Sequence, residues 1–302
     1  MSFGPFIVTL VSGEEYNDFF SICWKNGIYF GQINILSYPH GLGEIKYLNG
    51  DTYKGEWVDG NYTGKGKIVY ASGSTYEGDW VNGICEGKGM FTYKNGETYK
   101  GQWKNNKFHG KGIMNYLDKS TYEGEWLNGN RDGQGIYKFF DGSLYKGAFK
   151  DDNFNGKGIF IYFDGNKYEG EFKDDYFNGE GIFTYINGKI YKGEWKNDKR
   201  CGKGIMKYKN GGIYEGMWNN NKRHGKGKID YAHGEKYDGM WVEDKRHGIG
   251  VMEYSGIGTY TGEFENNNRH GKGIMVFSKG YTHEGEWLND KYVFFDISKK
   301  ES

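Results

Sequence analysis

Tyr122-Glu123-Gly124-Glu125-Trp126-Leu127-Asn128-Gly129-Asn130-Arg131-Asp132-Gly133-Gln134-Gly135 decides the fold, because the chain repeats this stretch along most of its length. The tyrosine returns every 23 residues, ten times without a slip, at Tyr53, Tyr76, Tyr99, Tyr122, Tyr145, Tyr168, Tyr191, Tyr214, Tyr237 and Tyr260. An unbroken period makes the chain an array, so its length counts repeats and not domains. With the tyrosine as position 0, position 2 is glycine from Gly55 to Gly262, and again at Gly285, where His283 stands in for the tyrosine. Position 4 is Trp or Phe from Trp57 to Trp287, and positions 11 and 13 are glycine from Gly64 and Gly66 to Gly271 and Gly273. These columns hold 31 of the 52 glycines, so glycine is positional here and not low-complexity filler.

Tyrosine, glycine and aromatic at positions 0, 2 and 4 have the period of a strand; a helix would scatter them around its axis. Positions 11, 13, 15 and 17 alternate likewise, ending in an apolar residue and then an aromatic, as in Met114 and Tyr116. Each unit is therefore two strands. Position 7 is Gly, Asn or Asp (Gly60, Asn106, Asp152), the types that enter left-handed backbone most readily. Positions 19 and 20 read Asn95-Gly96, Asp141-Gly142, Asp164-Gly165, Asn187-Gly188 and Asn210-Gly211, strong hairpin signals. Asp118-Lys119 and Gly256-Ile257 break that pattern, and looser turns without a change of register are expected there. Strands joined by two tight turns per unit predict an all-β antiparallel meander.

Apolar residues make up only 36% of the chain, but aromatics make up 19%, well above an ordinary globular balance. One face of the meander carries the aromatic rows, and the glycines beside them let rings lie on neighbouring backbone. The other face carries Lys or Glu at position 1, mostly Glu at position 3 and mostly Lys at position 12, read as cross-strand charge pairs that keep it soluble. Position 14 is the exception, with Ile113, Ile136, Ile159, Ile182 and Ile205. That stripe is either a seam under lysine stems or an association surface.

The unit Y-x-G-x-W-x-x-G-x-x-x-G-x-G resembles the MORN (membrane occupation and recognition nexus) repeat, over roughly residues 29 to 290. The resemblance implies an elongated, twisted, single-layer sheet of hairpin repeats, a solenoid-like ribbon. The organisation read from it is an N-terminal cap segment (1–28), a degenerate copy (29–52), ten regular repeats (53–282), a truncated copy (283–290) and a C-terminal tail (291–302). Degenerate ends suit the capping that an array needs. In the flanks, Phe6-Ile7-Val8-Thr9-Leu10-Val11 is too short to span a bilayer and reads as a capping strand. Tyr292-Val293-Phe294-Phe295-Asp296-Ile297 reads as a closing strand, with Lys299 and Lys300 protecting the edge.

Cys23, Cys85 and Cys201 are few, odd in number and dispersed, which favours a reducing compartment. The zero formal net charge gives no drive toward nucleic acid. The Gly-x-Gly pairs occur in every unit and precede no helix pattern, so they do not make a phosphate loop. Each acidic residue of note belongs to a repeated column, which leaves no singular catalytic constellation. The expectation is a non-enzymatic chain with no cofactor.

The loop at positions 8–10 varies along the array. Late units carry Lys199-Arg200-Cys201, Lys222-Arg223-His224, Lys245-Arg246-His247 and Asn268-Arg269-His270, whereas earlier ones carry Phe108, Phe154 and Phe177 at position 9. A ladder of Lys199, Arg200, Lys222, Arg223, His224, Lys245, Arg246, His247, Arg269 and His270 could engage an anionic, phosphoinositide-type membrane surface, each Lys or Arg contributing ~1 kcal/mol near lipid. The alternative for the same residues is a solvated loop edge. His224, His247 and His270 are too far apart in successive repeats to share one metal ion within a chain. Phe108, Phe154 and Phe177 are the candidates for contact with a protein partner. The leading expectation is a repeat scaffold binding a protein partner in a cytoskeletal, ciliary or cortical assembly of the cytoplasm, with a homodimer compatible. A phospholipid adaptor and a regulatory subunit of an enzyme complex are the alternatives.

Overall fold

The computed structural model describes residues 19–293. The expected strand at 6–11 and the tail at 294–302, with Lys299 and Lys300, lie outside the described residues. The chain forms two compact units that divide between Asn153 and Phe154. Both are all-β, and within each one every strand pairs antiparallel with the next in sequence, from Phe20–Trp24 to Leu144–Lys150 in the first and from Asn153–Ile161 to Lys291–Tyr292 in the second. Part of the segment read as a cap already belongs to the sheet, because Phe20–Trp24 pairs with Gly27–Ile33.

Two kinds of turn alternate. Between the strands of a unit, positions 6 and 7 are both left-handed, as in Asn105 and Asn106 (φ 50° and 62°) or Asp151 and Asp152 (46° and 69°). This is a type I′ hairpin, whose twist matches that of the strands. Between units the Asn-Gly signal makes a different turn from the two-residue one it suggests. Only Gly96 is left-handed (φ 97°), its N–H donates to the Tyr93 carbonyl at 2.9 Å, and Tyr93 N–H donates to the Glu97 carbonyl at 2.9 Å. That is a three-residue loop closed by a left-handed residue. Asp118-Lys119 is not looser. Lys119 takes φ 73° and the same two hydrogen bonds form, at 3.1 and 3.0 Å. At Gly256-Ile257 the pairing continues on both sides, with Tyr254 opposite Gly258 and Met252 opposite Tyr260.

The repeats also carry a bulge, as the one that starts at Tyr53 does. Glu56 faces Thr63 and Gly55 faces Gly66, which leaves Gly64 and Lys65 without partners on that strand. Gly64 absorbs the excursion at φ 55°, and the Glu56 carboxylate accepts the freed Lys65 N–H at 2.8 Å. Asp79 does this for Lys88 (2.8 Å), Gln102 for Lys111 (2.8 Å), Glu194 for Lys203 (2.7 Å) and Glu263 for Lys272 (3.1 Å). Position 3, expected to supply only cross-strand charge, thus holds the bulge. Its acceptor oxygen matters, since glutamine serves as well.

Positions 2 and 13 meet across strands, as Gly55 opposite Gly66 and Gly66 opposite Gly78, and so form a row of bare backbone. The position-0 ring fills the space beside that row: a Cβ on Gly66 would collide with the Tyr53 hydroxyl and ring. Tyr53 Oη donates to the Glu56 carbonyl at 3.0 Å, and Trp80 Nε1 donates to the Gly66 carbonyl at 3.1 Å. Tyr53 meets Trp57 and Trp80 edge-on, at 5.3 and 5.5 Å between centroids. The ten repeat tyrosines are at most 1% exposed, so in each compact unit one face of the sheet serves as the core.

Candidate functional site

Position 9 is where units differ, and it packs between them. Tyr62, Phe108 and Phe177 stack on the tyrosine of their own unit, at 3.6, 3.8 and 3.7 Å on Tyr53, Tyr99 and Tyr168. Each also meets the next unit's tryptophan edge-on, at 5.2, 5.3 and 5.5 Å for Trp80, Trp126 and Trp195. Arginine fills the same slot, because its planar guanidinium stacks as a ring does. Arg200, Arg223 and Arg269 lie 4.5, 4.1 and 4.3 Å over Trp218, Trp241 and Trp287. Arg131 and Arg246 lie 5.4 and 5.5 Å over Phe149 and Phe264. The fork then reaches the next unit's position 7. Arg223 Nε donates to Asp244 Oδ1 at 3.0 Å and Nη2 to the Asp244 carbonyl at 2.9 Å. Arg131 and Arg269 pair with Asp152 and Asp290 in the same way, both at 3.1 Å.

Where phenylalanine holds position 9, the following aspartate keeps its charge uncancelled. Asp175 and Asp198 accept the backbone N–H of Phe154 and Phe177, both at 2.7 Å, and neither has an ion-pair partner among the described residues. In these two units positions 15 and 17 are both aromatic. Phe160 sits 4.6 Å from Tyr162, Phe183 sits 4.5 Å from Tyr185, and Tyr162 is 6.0 Å from Phe183. The four rings are half-buried and, with Phe154, Asp175, Asp198 and Arg200, line a trough of about 500 Å³. Burial first, and then the Asp198 carboxylate, pushes the Tyr162 hydroxyl up to about 12. Neither the Tyr162 nor the Tyr185 hydroxyl has a hydrogen-bond partner among the described residues.

The first unit carries a second concavity, on the charged face. A groove of about 1560 Å³ is floored by the glycine row from Gly66 to Gly135 and flanked by Lys88, Lys100, Lys111, Met90, Ile113 and Ile136. Met90 and Ile113 are 42% and 40% exposed, so the apolar stripe is an open surface here and not a covered seam. Lys65 pairs with Asp79, and Lys67 with Glu77 at 3.2 Å. Lys100 and Lys111 form no ion pair among the described residues.

The MORN repeat model matches ten segments, 53–75, 76–98, 99–121, 122–144, 145–167, 168–190, 191–213, 214–235, 237–256 and 260–280. The chain belongs to the MORN-repeat family. Comparison with curated proteins found no significant match. Among solved structures, the MORN chain is similar to the TCP10 domain of Danio rerio CPAP in complex with a STIL peptide (13% identity, 66% of this chain and 89% of that one, TM-score 0.40). It is also similar to the Drosophila melanogaster SAS-4 TCP domain in complex with a proline-rich motif of Ana2 (20% identity, 52% and 85%, TM-score 0.33). Both scores lie below the level that marks a shared fold.

Within the MORN units, Phe108 and Phe177 belong to the inter-repeat stacks, and Phe177 is only 7% exposed. Phe154 reaches the trough. The guanidinium groups of Arg200, Arg223, Arg246 and Arg269 are inserted between repeats, with Arg246 Nη2 bonded to the Asn267 carbonyl at 2.7 Å. The outward charges of that loop edge are Lys199, Lys222 and Lys245, of which Lys222 pairs with Glu243 at 3.0 Å. His224 is half-buried, His247 is exposed, and His270 Nε2 lies 3.3 Å from Glu265. Among the described residues no group of three His, Cys, Asp or Glu side chains is placed to hold a metal, and no helix is long and apolar enough to cross a membrane. Sequence reading missed Asp175, Asp198, Tyr162 and Tyr185. Their signal was present, as a position-9 phenylalanine followed 21 residues later by an aspartate with no arginine to neutralise it.

Proposed function

We propose that this MORN protein is a non-enzymatic scaffold that holds a protein partner against its sheet, in a cytoskeletal, ciliary or cortical assembly of the cytoplasm. The groove on the charged face of the first unit supports this most directly. Its glycine floor lets a partner's backbone approach closely. Met90, Ile113 and Ile136 recur once per unit, about 10 Å apart at two strand spacings, which is close to two turns of an α-helix, about 10.5 Å. An amphipathic helix laid across the strands could therefore set one apolar residue per heptad on each of them, and its acidic flank toward Lys100 and Lys111.

A photo-crosslinking residue at Ile113 or Ile136 tests this in cells. The expected product is a crosslink to a defined protein whose co-purification is lost in an Ile113→Asp/Ile136→Asp variant of unchanged thermal stability. Capture that is equal from a probe at the exposed Leu48, or association with anionic vesicles alone, would overturn the reading.

A further inference from the structure

The aromatic trough of the second unit is a separate feature, and its chemistry selects a different ligand. In the other units with an aspartate at position 7 of the next repeat, an arginine covers and neutralises it, as Arg131 does Asp152, Arg223 does Asp244 and Arg269 does Asp290. At Phe154 and Phe177 a ring takes the arginine's place, leaving Asp175 and Asp198 with a backbone N–H each but no cation, beside half-buried aromatic rings. The two carboxylates lie one unit apart, about 10 Å at two strand spacings.

We propose that this trough binds a basic, proline-containing segment in the polyproline II conformation, with Arg or Lys side chains at i and i+3 directed to Asp175 and Asp198. The match is geometric. A polyproline II helix has three residues per turn and rises about 3.1 Å per residue, so residues i and i+3 point the same way about 9.3 Å apart. In a β-strand i and i+3 point to opposite faces. The prolines between the basic residues rest on Phe160, Tyr162, Phe183 and Tyr185, where the cations also meet ring faces. Polyproline II carbonyls have no internal partners, and the free hydroxyls of Tyr162 and Tyr185 are donors for them. A helical ligand would present carbonyls that are already bonded. The assignment shares with the previous section the reading of the chain as a protein-binding scaffold. It concerns the other unit, so it can fail while the first-unit groove still binds.

The test uses fluorescence anisotropy on the full chain with labelled peptides. One carries prolines with arginines at i and i+3. The controls place the arginines at i and i+2, replace them with glutamate, replace the prolines with glycine, or present the same charge on an amphipathic helix. Binding of the first peptide in the micromolar range is expected, at least tenfold tighter than any control and weakened by salt. Asp175→Asn/Asp198→Asn should lose at least tenfold while folding normally, since Asn221 already serves as the acceptor for Arg200 N–H at 2.8 Å. Phe177→Arg recreates the neutralised arrangement of neighbouring units and should also weaken binding. No binding of the first peptide at millimolar concentration, equal binding of the i and i+2 or helical peptide, or full binding by either variant of unchanged Tm would overturn the proposal.

Discussion

Glycines that look alike in the sequence do two different jobs. Gly112 has ordinary backbone, and the Tyr99 ring and hydroxyl occupy the place of its missing Cβ; Gly96 is left-handed at φ 97° with open space around it. Gly112→Ala is therefore expected to cost about 3 kcal/mol through displacement of a buried ring. Gly96→Ala should cost about 1 kcal/mol through backbone strain alone. Urea titration of the two variants checks the order, and equal losses would argue against the ring-over-glycine packing. Position 9 follows the same logic of filled space. Arg223→Ala removes the slab over Trp241 and strands Asp244, for a loss of about 2 kcal/mol. Arg223→Phe, which copies Phe108 and Phe177, should stay within about 1 kcal/mol of the parent by the same titration. Charge reversal of these arginines would mix lost packing with lost charge, so a test of membrane attachment belongs at Lys199, Lys222 and Lys245.

At the scale of the hairpin, the periodicity of 0, 2, 4 and 11, 13, 15, 17 was enough to read two strands per unit, because side-chain alternation is a local property of the chain. The bulge was not legible, since its cause is a left-handed glycine at position 11 together with a pairing between residues nine apart, the position-12 N–H and an acceptor at position 3. The trough was not legible either, because it depends on which position-9 residue faces which aspartate 21 residues on. Position 3 offers a direct check on the bulge. Met217 stands there beside Gly225, and among the described residues no side-chain acceptor reaches the Lys226 N–H. Met217→Glu or Met217→Gln is expected to supply the missing hydrogen bond and raise stability by about 1 kcal/mol. Hydrogen exchange at Lys226 should slow in parallel, as it should not if a bulge amide gains nothing from the acceptor.

Across the whole molecule, the core is a file of phenols, and this makes its stability depend on alkaline pH. Burial pushes the hydroxyls of Tyr53, Tyr76, Tyr99, Tyr122, Tyr168, Tyr191, Tyr214 and Tyr237 up, and that of Tyr260 up to about 12. The folded state therefore holds these protons more tightly than the unfolded chain, whose tyrosines ionise near 10. The sign follows from linkage: stability is intact below about pH 10 and declines above it, because only the unfolded chain gains by releasing protons. Each buried tyrosine contributes up to about tenfold in the folding equilibrium per pH unit in that window. Since units stack as nearest neighbours and share these rings, several such factors multiply within one cooperative stretch. Tyrosinate absorbance and far-UV circular dichroism should then change together in one steep step between about pH 10 and 12. A gradual titration of all the tyrosines starting near pH 10, with the sheet signal intact, would mean that the rings are solvated and that the glycine row does not enclose them.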